Sequence, residues 1–277
     1  MNNTIYDVIE KVSSQDGTLI EILQIPELSG SSDVSLSSKL YFASNTGMRL
    51  KMVRISLNNS FTRIEPGSLY FMKGNLENKA STGGGIIKGL GRKVLSGESL
   101  FVNEIHGTGE IYLEPSFGHF FIHQLRPQDQ ALIVDKGMFY AGTEGLDVSS
   151  ILQKSISAGL FGGEGLFQTQ IKGDGIVVLY SPVPATEIQK IELKNEKLSV
   201  DGNFALLRTA GVNFKAEKSS KTWVGTAVSG EGLLQTFSGT GTVWLAPTQG
   251  VYQLLSTPQG LHKLSLPPGS AGIGEDT

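Results

Sequence analysis

Gly97-Glu98-Ser99-Leu100-Phe101, Gly163-Glu164-Gly165-Leu166-Phe167 and Gly230-Glu231-Gly232-Leu233-Leu234 are three copies of one phrase. Each is followed at nearly the same distance by a Gly-x-Gly: Gly107 and Gly109, Gly173 and Gly175, Gly239 and Gly241. The copies begin 66 and 67 residues apart. A repeated phrase at that spacing predicts a repeated fold about a pseudo-threefold axis. The period is too long for a simple solenoid coil and suits small β-modules.

Around each copy the apolar residues come in short β-rich runs. In the second copy, Leu166 to Ile171 reads as a strand, Gly173-Asp174-Gly175 as the turn, and Ile176 to Tyr180 as the return strand. The first copy gives Leu100 to Ile105 and Glu110 to Leu113, and the third gives Leu233 to Phe237 and Thr242 to Leu245. Positive φ is cheap only for glycine, so the Gly-x-Gly marks the sharp point. Pro115, Pro182 and Pro247 close the pairs, where a missing N–H does least harm.

A second theme alternates with the first. Leu132 to Tyr140 is echoed by Leu198 to Leu206 and more loosely by Ile64 to Phe71. The expected architecture is all-β: three repeated units of β-sandwich or double-stranded β-helix type, near residues 33–115, 116–182 and 183–250, with closing strands to 267. Residues 1–32 read as an N-terminal extension and 268–277 as a flexible tail. Helical signal is thin, with one short helix expected over 4–12 and another over 148–160.

Composition agrees with this class. The 35 glycines among 277 residues are nearly twice the usual share, without a collagen period or a low-complexity run. Net charge is −3, so no global field draws the chain to nucleic acid. Cysteine is absent, which removes disulfides, thiolate metal sites and cysteine catalysis. MNNTIYDVIEK carries no basic and apolar leader, and no stretch reaches the roughly 18 apolar residues that span a bilayer. A cytoplasmic location is the expectation.

The glycine-rich run through Arg92 into Leu95-Ser96-Gly97-Glu98-Ser99-Leu100-Phe101, closed by Gly107-Thr108-Gly109-Glu110-Ile111-Tyr112-Leu113, resembles the signature of the AIM24 (DUF124) family. Gly230 to Thr236 and Gly239-Thr240-Gly241-Thr242-Val243-Trp244-Leu245-Ala246-Pro247 extend the likeness, which covers roughly residues 33–267. The resemblance implies three β-sandwich units, each similar to a subunit of the tryptophan-binding RNA attenuation (TRAP) ring. It implies little chemistry: bacterial members are mostly uncharacterised, and the mitochondrial namesake is linked to inner-membrane organisation without a known activity.

Candidate site residues follow from what repeats and what does not. Glu98, Glu164 and Glu231 occupy equivalent positions and would form a cation or basic-ligand site if they converged. The competing reading is that each accepts N–H bonds at its own turn. Lys88 and Arg92 sit in a small basic glycine loop with Ile86, Ile87 and Leu90, a composition that suits a lipid surface as well as a packed junction. His119 and His123 are weak metal candidates: period two puts both on one strand face, about 13 Å apart, without a carboxylate at ligand spacing.

No P-loop, nucleophile elbow or close carboxylate pair is present. Arg54, Arg126 and Lys190 come near the phase of an RNA-binding rim, but one cation per unit is a weak footprint. Tyr140, Phe204 and Trp244 would line a small-ligand pocket at unit junctions.

These readings point to a non-catalytic scaffold or binding module with no cofactor and no nucleic-acid partner. Self-association and peripheral membrane contact are left open. The alternative is a metal-dependent enzyme or small-ligand binder on a double-stranded β-helix frame.

Overall fold

The computed structural model describes residues 5–30, 32–82, 101–153, 166–201, 204–218 and 233–267. Strands account for 60% of the described residues and helix for 15%, so the all-β expectation holds. By its internal contacts the chain divides into two compact units. The first comprises Met1–Ala131, Asp135–Ser150 and Thr169–Pro184; the second comprises Leu132–Val134, Ile151–Gln168 and Ala185–Thr277.

In chain order the strands are β1 (Asp7–Ser13), β2 (Leu19–Ile25), β3 (Leu50–Ile64), β4 (Leu69–Thr82), β5 (Phe101–Leu113), β6 (His119–Leu125), β7 (Leu132–Val134) and β8 (Phe139–Thr143). They continue as β9 (Leu146–Gln153), β10 (Leu166–Gly173), β11 (Gly175–Ser181), β12 (Gln189–Asp201), β13 (Ala205–Thr209), β14 (Val212–Lys218) and β15 (Leu233–Leu245). Helices are α1 (Ser37–Asn45), α2 (Gln249–Leu255) and α3 (Pro258–Ser265).

The first unit is organised by β3. On one edge it pairs antiparallel with β2 over residues 50–56 and with β8 over 62–64; on the other it pairs with β5 from Arg54 to Ile64. β5 carries β4 on its far side. Beyond β8 the sheet continues through β11 to β6. One face of these strands builds a core of Ile20, Ile22, Val53, Ile55, Ile64, Ile105, Ile111 and Val178, all about fully buried.

The sequence explains how one 15-residue strand serves three neighbours. Burial along β3 falls on Val53, Ile55 and Leu57, then on Ser60, Thr62 and Ile64. The alternation changes parity across Asn58-Asn59, where Asn59 takes φ 51° and the pairing with β5 slips. An extra residue in one strand of a pair bends it and turns the following side chains to the other face.

The second unit uses the same device. β12 pairs with β15, whose other edge takes β13 and β14. In β12 burial moves from Leu193 to Val200 across Asn195, at φ 60°. Leu193, Val200, Val212, Phe214, Phe237 and Val243 form the local core.

Several expectations are corrected. The Gly-x-Gly is not a turn in the first and third copies, because β5 runs unbroken through Gly107 and Gly109, and β15 through Gly239 and Gly241. What glycine provides there is closeness. Gly107, Gly173 and Gly239 share φ of +129°, +122° and +123°, and a Cβ would stand 2.0, 2.3 and 2.5 Å from the carbonyl oxygens of Asn75, Gly145 and Gly211. Only the second copy breaks, at Asp174 between β10 and β11.

The helix expected over 4–12 is instead strand β1, joined to β2 through a tight turn in which Gly17 takes φ +82° and Ser14 N–H donates to Thr18 O at 2.9 Å. Within the expected extension, residues 7–13 and 19–25 are therefore sheet. The first part of the helix expected over 148–160 is strand β9. Where closing strands were expected, residues 249–265 form α2 and α3. Thr257 caps α3 by accepting from Gly260 N–H, with Pro258 at its first position.

Candidate functional site

Three strands of the first unit place polar side chains around Gly107. An open cleft of about 620 Å³ lies over Gly107, lined by Asn59, Ser60 and Phe61 of β3, Asn75 and Glu77 of β4, His106 of β5, and Glu144. On one sheet face, cross-strand register lines up Phe61, His106 and Glu77, and beside them Arg63, Glu104 and Lys79.

These groups are bonded to one another. Arg63 Nε meets Glu104 Oε1 at 3.1 Å, and His106 Nε2 lies 3.2 Å from Glu104 Oε2. The imidazole stacks on Phe61 at 4.7 Å, and the Arg63 guanidinium lies over the same ring at 4.8 Å. Arg63 Nη1 also donates to Leu146 O at 2.5 Å.

At the rim of the cleft, Ser60 Oγ lies 2.8 Å from Asp16 Oδ2 and 3.0 Å from Glu144 Oε2. Its single hydrogen serves one carboxylate at a time. Partial burial pushes the Asp16 pKa up, but hydrogen bonds from Ser14, Ser60 and Thr18 outweigh it and hold the carboxyl below its ordinary value. A second cleft, of about 250 Å³, lies on the other side of Glu144 with Asp16, Gln124 and Asp174 in its wall. Two carboxylates, two amides and an aromatic–imidazole stack suit a cationic or polyhydroxylated ligand.

The candidates named from sequence fall differently. Lys88, Arg92, Glu98, Glu164 and Glu231 all lie outside the described residues. His119 and His123 are on β6, opposite Ser181 and Val177 of β11, on the face turned away from Phe120 and Ile122. Among the described residues, no group of three or more His, Asp or Glu side chains is placed to hold a metal ion.

Two of the three RNA-phase cations are engaged within their own units, and the third residue is bonded through its main chain. Arg54 Nε bonds Glu21 Oε2 at 2.6 Å, and that bond raises the guanidinium pKa against the opposing effect of burial. Lys190 Nζ sits 3.9 Å from the centre of the Trp244 ring. The Arg126 N–H donates to Asp129 in a turn.

The three aromatics expected to line a pocket are packing residues. Tyr140 packs against the first core and donates to Glu114 O at 2.8 Å, Phe204 packs on the second core, and Trp244 is buried.

The feature that sequence reading did not single out is strand β4. Among the described residues it pairs only with β5. From Tyr70 to Lys79 every residue except Leu76 is exposed, including Tyr70 at 53%, Phe71 at 43% and Met72 at 39%. Phe71 stacks on Tyr112 of β5, with ring centres 4.2 Å apart.

A family model described as mitochondrial biogenesis AIM24 matches residues 42–248. The chain belongs to the AIM24 family. It is 26% identical over 223 residues to an uncharacterized protein of Streptococcus pyogenes serotype M6, an alignment covering 76% of this chain and 86% of that protein. A crystal structure of another Streptococcus pyogenes protein superposes with a TM-score of 0.54 at 21% identity, covering 75% of this AIM24-family chain and 94% of that one. That likeness concerns the fold alone. No helix among the described residues is long and apolar enough to cross a membrane.

Proposed function

We propose that this AIM24-family chain is a non-catalytic β-scaffold or binding module, located in the cytoplasm, that works through its surfaces in an oligomer or at a membrane face. The observation that carries this reading is β4. A strand exposed on both faces and paired, among the described residues, on one edge presents a row of main-chain donors and acceptors to whatever docks there. The side chains beside it, Arg63, Glu104 and His106, support the same reading, since they bond one another across β3 and β5. On this reading Lys88 and Arg92 belong to the membrane-facing loop, and Glu98, Glu164 and Glu231 serve their own turns.

We place the chain's plan in three TRAP-like β-repeats. In support, Gly107, Gly173 and Gly239 share one backbone geometry against one kind of neighbour, and Asn59 and Asn195 mark equivalent bulges.

A second reading, small-ligand binding, is favoured by the cleft above Gly107 with Glu77 and Glu144 in its wall. Metal analysis of the purified full chain separates the scaffold from the enzyme alternative. The scaffold predicts sub-stoichiometric zinc, iron and manganese. One equivalent of any of these, lost on replacing His119 or His123, contradicts it.

A further inference from the structure

We infer that β4 is a self-pairing edge: two copies of this chain join antiparallel through β4, about a two-fold axis centred on Asn75, continuing the sheet from one copy into the next. The inference rests on the scaffold reading above and names its partner.

A two-fold axis perpendicular to the sheet must keep each side chain on its own face, so residue numbers that face each other add to twice the central number. Centred on Lys73, the strand would set Lys73 against itself; centred on Leu76, it would set Lys73 against Lys79 twice. Centred on Asn75, it sets Lys73 against Glu77 of the second copy, and Glu77 against Lys73 of the second copy. Directly opposed opposite charges favour a register and like charges disfavour it. That register also pairs the exposed run almost end to end, with Phe71 facing Lys79 and Met72 facing Asn78 of the second copy.

The charges are free to make these contacts. Lys73 stands opposite Glu110 of β5 in the sheet, so the new pair extends an existing row to Glu110, Lys73 and Glu77 of the second copy. Glu77 meets Lys79 at 3.1 Å, but both side chains are more than half exposed, at 70% and 51%, and such a pair is weak enough to exchange partners. Lysines on an edge strand usually repel a neighbouring strand. In this one register Lys73 attracts it. Tyr70, Phe71 and Met72, exposed next to it, supply the apolar area that an edge pair needs.

The chain has no cysteine, so a single introduced thiol reports the register cleanly. Asn75→Cys places the thiol opposite its own copy, within reach of a disulfide under mild oxidation. Asn78→Cys places it about 20 Å from its copy along the strand, because the offset is six residues. Sedimentation of the full chain is expected to show a dimer whose dissociation constant rises about tenfold in K73E and recovers in K73E/E77K. N75C is expected to cross-link as a dimer, and N78C is not. Thermal melts check that each variant folds. A monomer throughout, or N78C cross-linking as fast as N75C, overturns the proposal. A dimer that ignores K73E and leaves N75C uncrosslinked also overturns it, while the scaffold reading stands and the interface lies elsewhere.

Discussion

The main-chain N–H of Asn59 donates to Thr108 Oγ1 at 2.9 Å, across the point where β3 bulges against β5. In the second unit the N–H of Asn195 donates to Thr240 Oγ1 at 3.2 Å, at the matching bulge of β12 against β15. Each threonine is the middle residue of a Gly-Thr-Gly. The flanking glycines let two backbones close up, and the hydroxyl fills the bond that the bulge leaves unpaired.

Replacing Thr108 by Val keeps the shape and removes the acceptor. The expected cost is about 1 kcal/mol, because the Asn59 N–H is partly open to water and recovers some bonding. Thr240→Val carries a similar cost in the second unit. Chemical denaturation of the two variants measures both, and a cost below a few tenths in each would refute the shared role.

Gly107→Ala is expected to be far worse than Gly17→Ala. Both glycines have positive φ, but a Cβ at Gly107 would stand 2.0 Å from the Asn75 carbonyl oxygen, while at Gly17 it meets nothing within 4 Å. The predicted cost is about 1 kcal/mol at Gly17 and about 3 kcal/mol or more at Gly107, where backbone must move. Thermal melts of the two variants order them.

Glu21 and Arg54 form an ion pair beside buried Leu23 and Met52. Glu21→Gln leaves the guanidinium without its carboxylate, and a loss of roughly 3 kcal/mol is expected. The double variant Glu21→Gln/Arg54→Met should recover much of it. Additive losses would show that the pair is not coupled.

Two carboxylates should give opposite pH signatures. Asp16 has its folded pKa lowered: burial pushes it up, but the bonds from Ser14, Ser60 and Thr18 prevail. Its stabilisation is therefore full above the unfolded-state value and lost as pH falls through the folded one. Glu65 has its pKa raised, by burial first, with Lys136 opposing. The folded protein then holds that proton more tightly, so stability falls as pH rises from the unfolded value through the folded one. Asp16→Asn should flatten the acid limb of a stability–pH curve. Glu65→Gln should raise stability at neutral pH and leave it unchanged in acid.

Much of this was legible in the chain. The β-rich runs beside each Gly-x-Gly marked strands, although the glycines read as turns lie inside β5 and β15, and Leu132 to Tyr140 with its echo marked β7 with β8 and β12 with β13. Other local signals compete with one another. Asp16-Gly17 between Val8–Val12 and Leu19–Ile25 is a hairpin turn, and it outweighs the helical reading of residues 4–12. Thr257-Pro258 is a helix start. The parity change from Val53, Ile55 and Leu57 to Thr62 and Ile64 shows the bulge, but only once both runs are assigned to one strand. The exposure of β4 had no local signal, because an edge is defined by which strand is missing beside it. The cleft above Gly107 was equally hidden, since Ser60, Glu77, His106 and Glu144 come together only through long-range pairing.

Amide exchange along β4 tests its self-pairing most directly. With the full chain concentrated, the account predicts that alternate amides from Phe71 to Lys79, those pointing away from β5, exchange slowly and become fast on dilution. Fast exchange of those amides at every concentration, with β5 protected throughout, would contradict it.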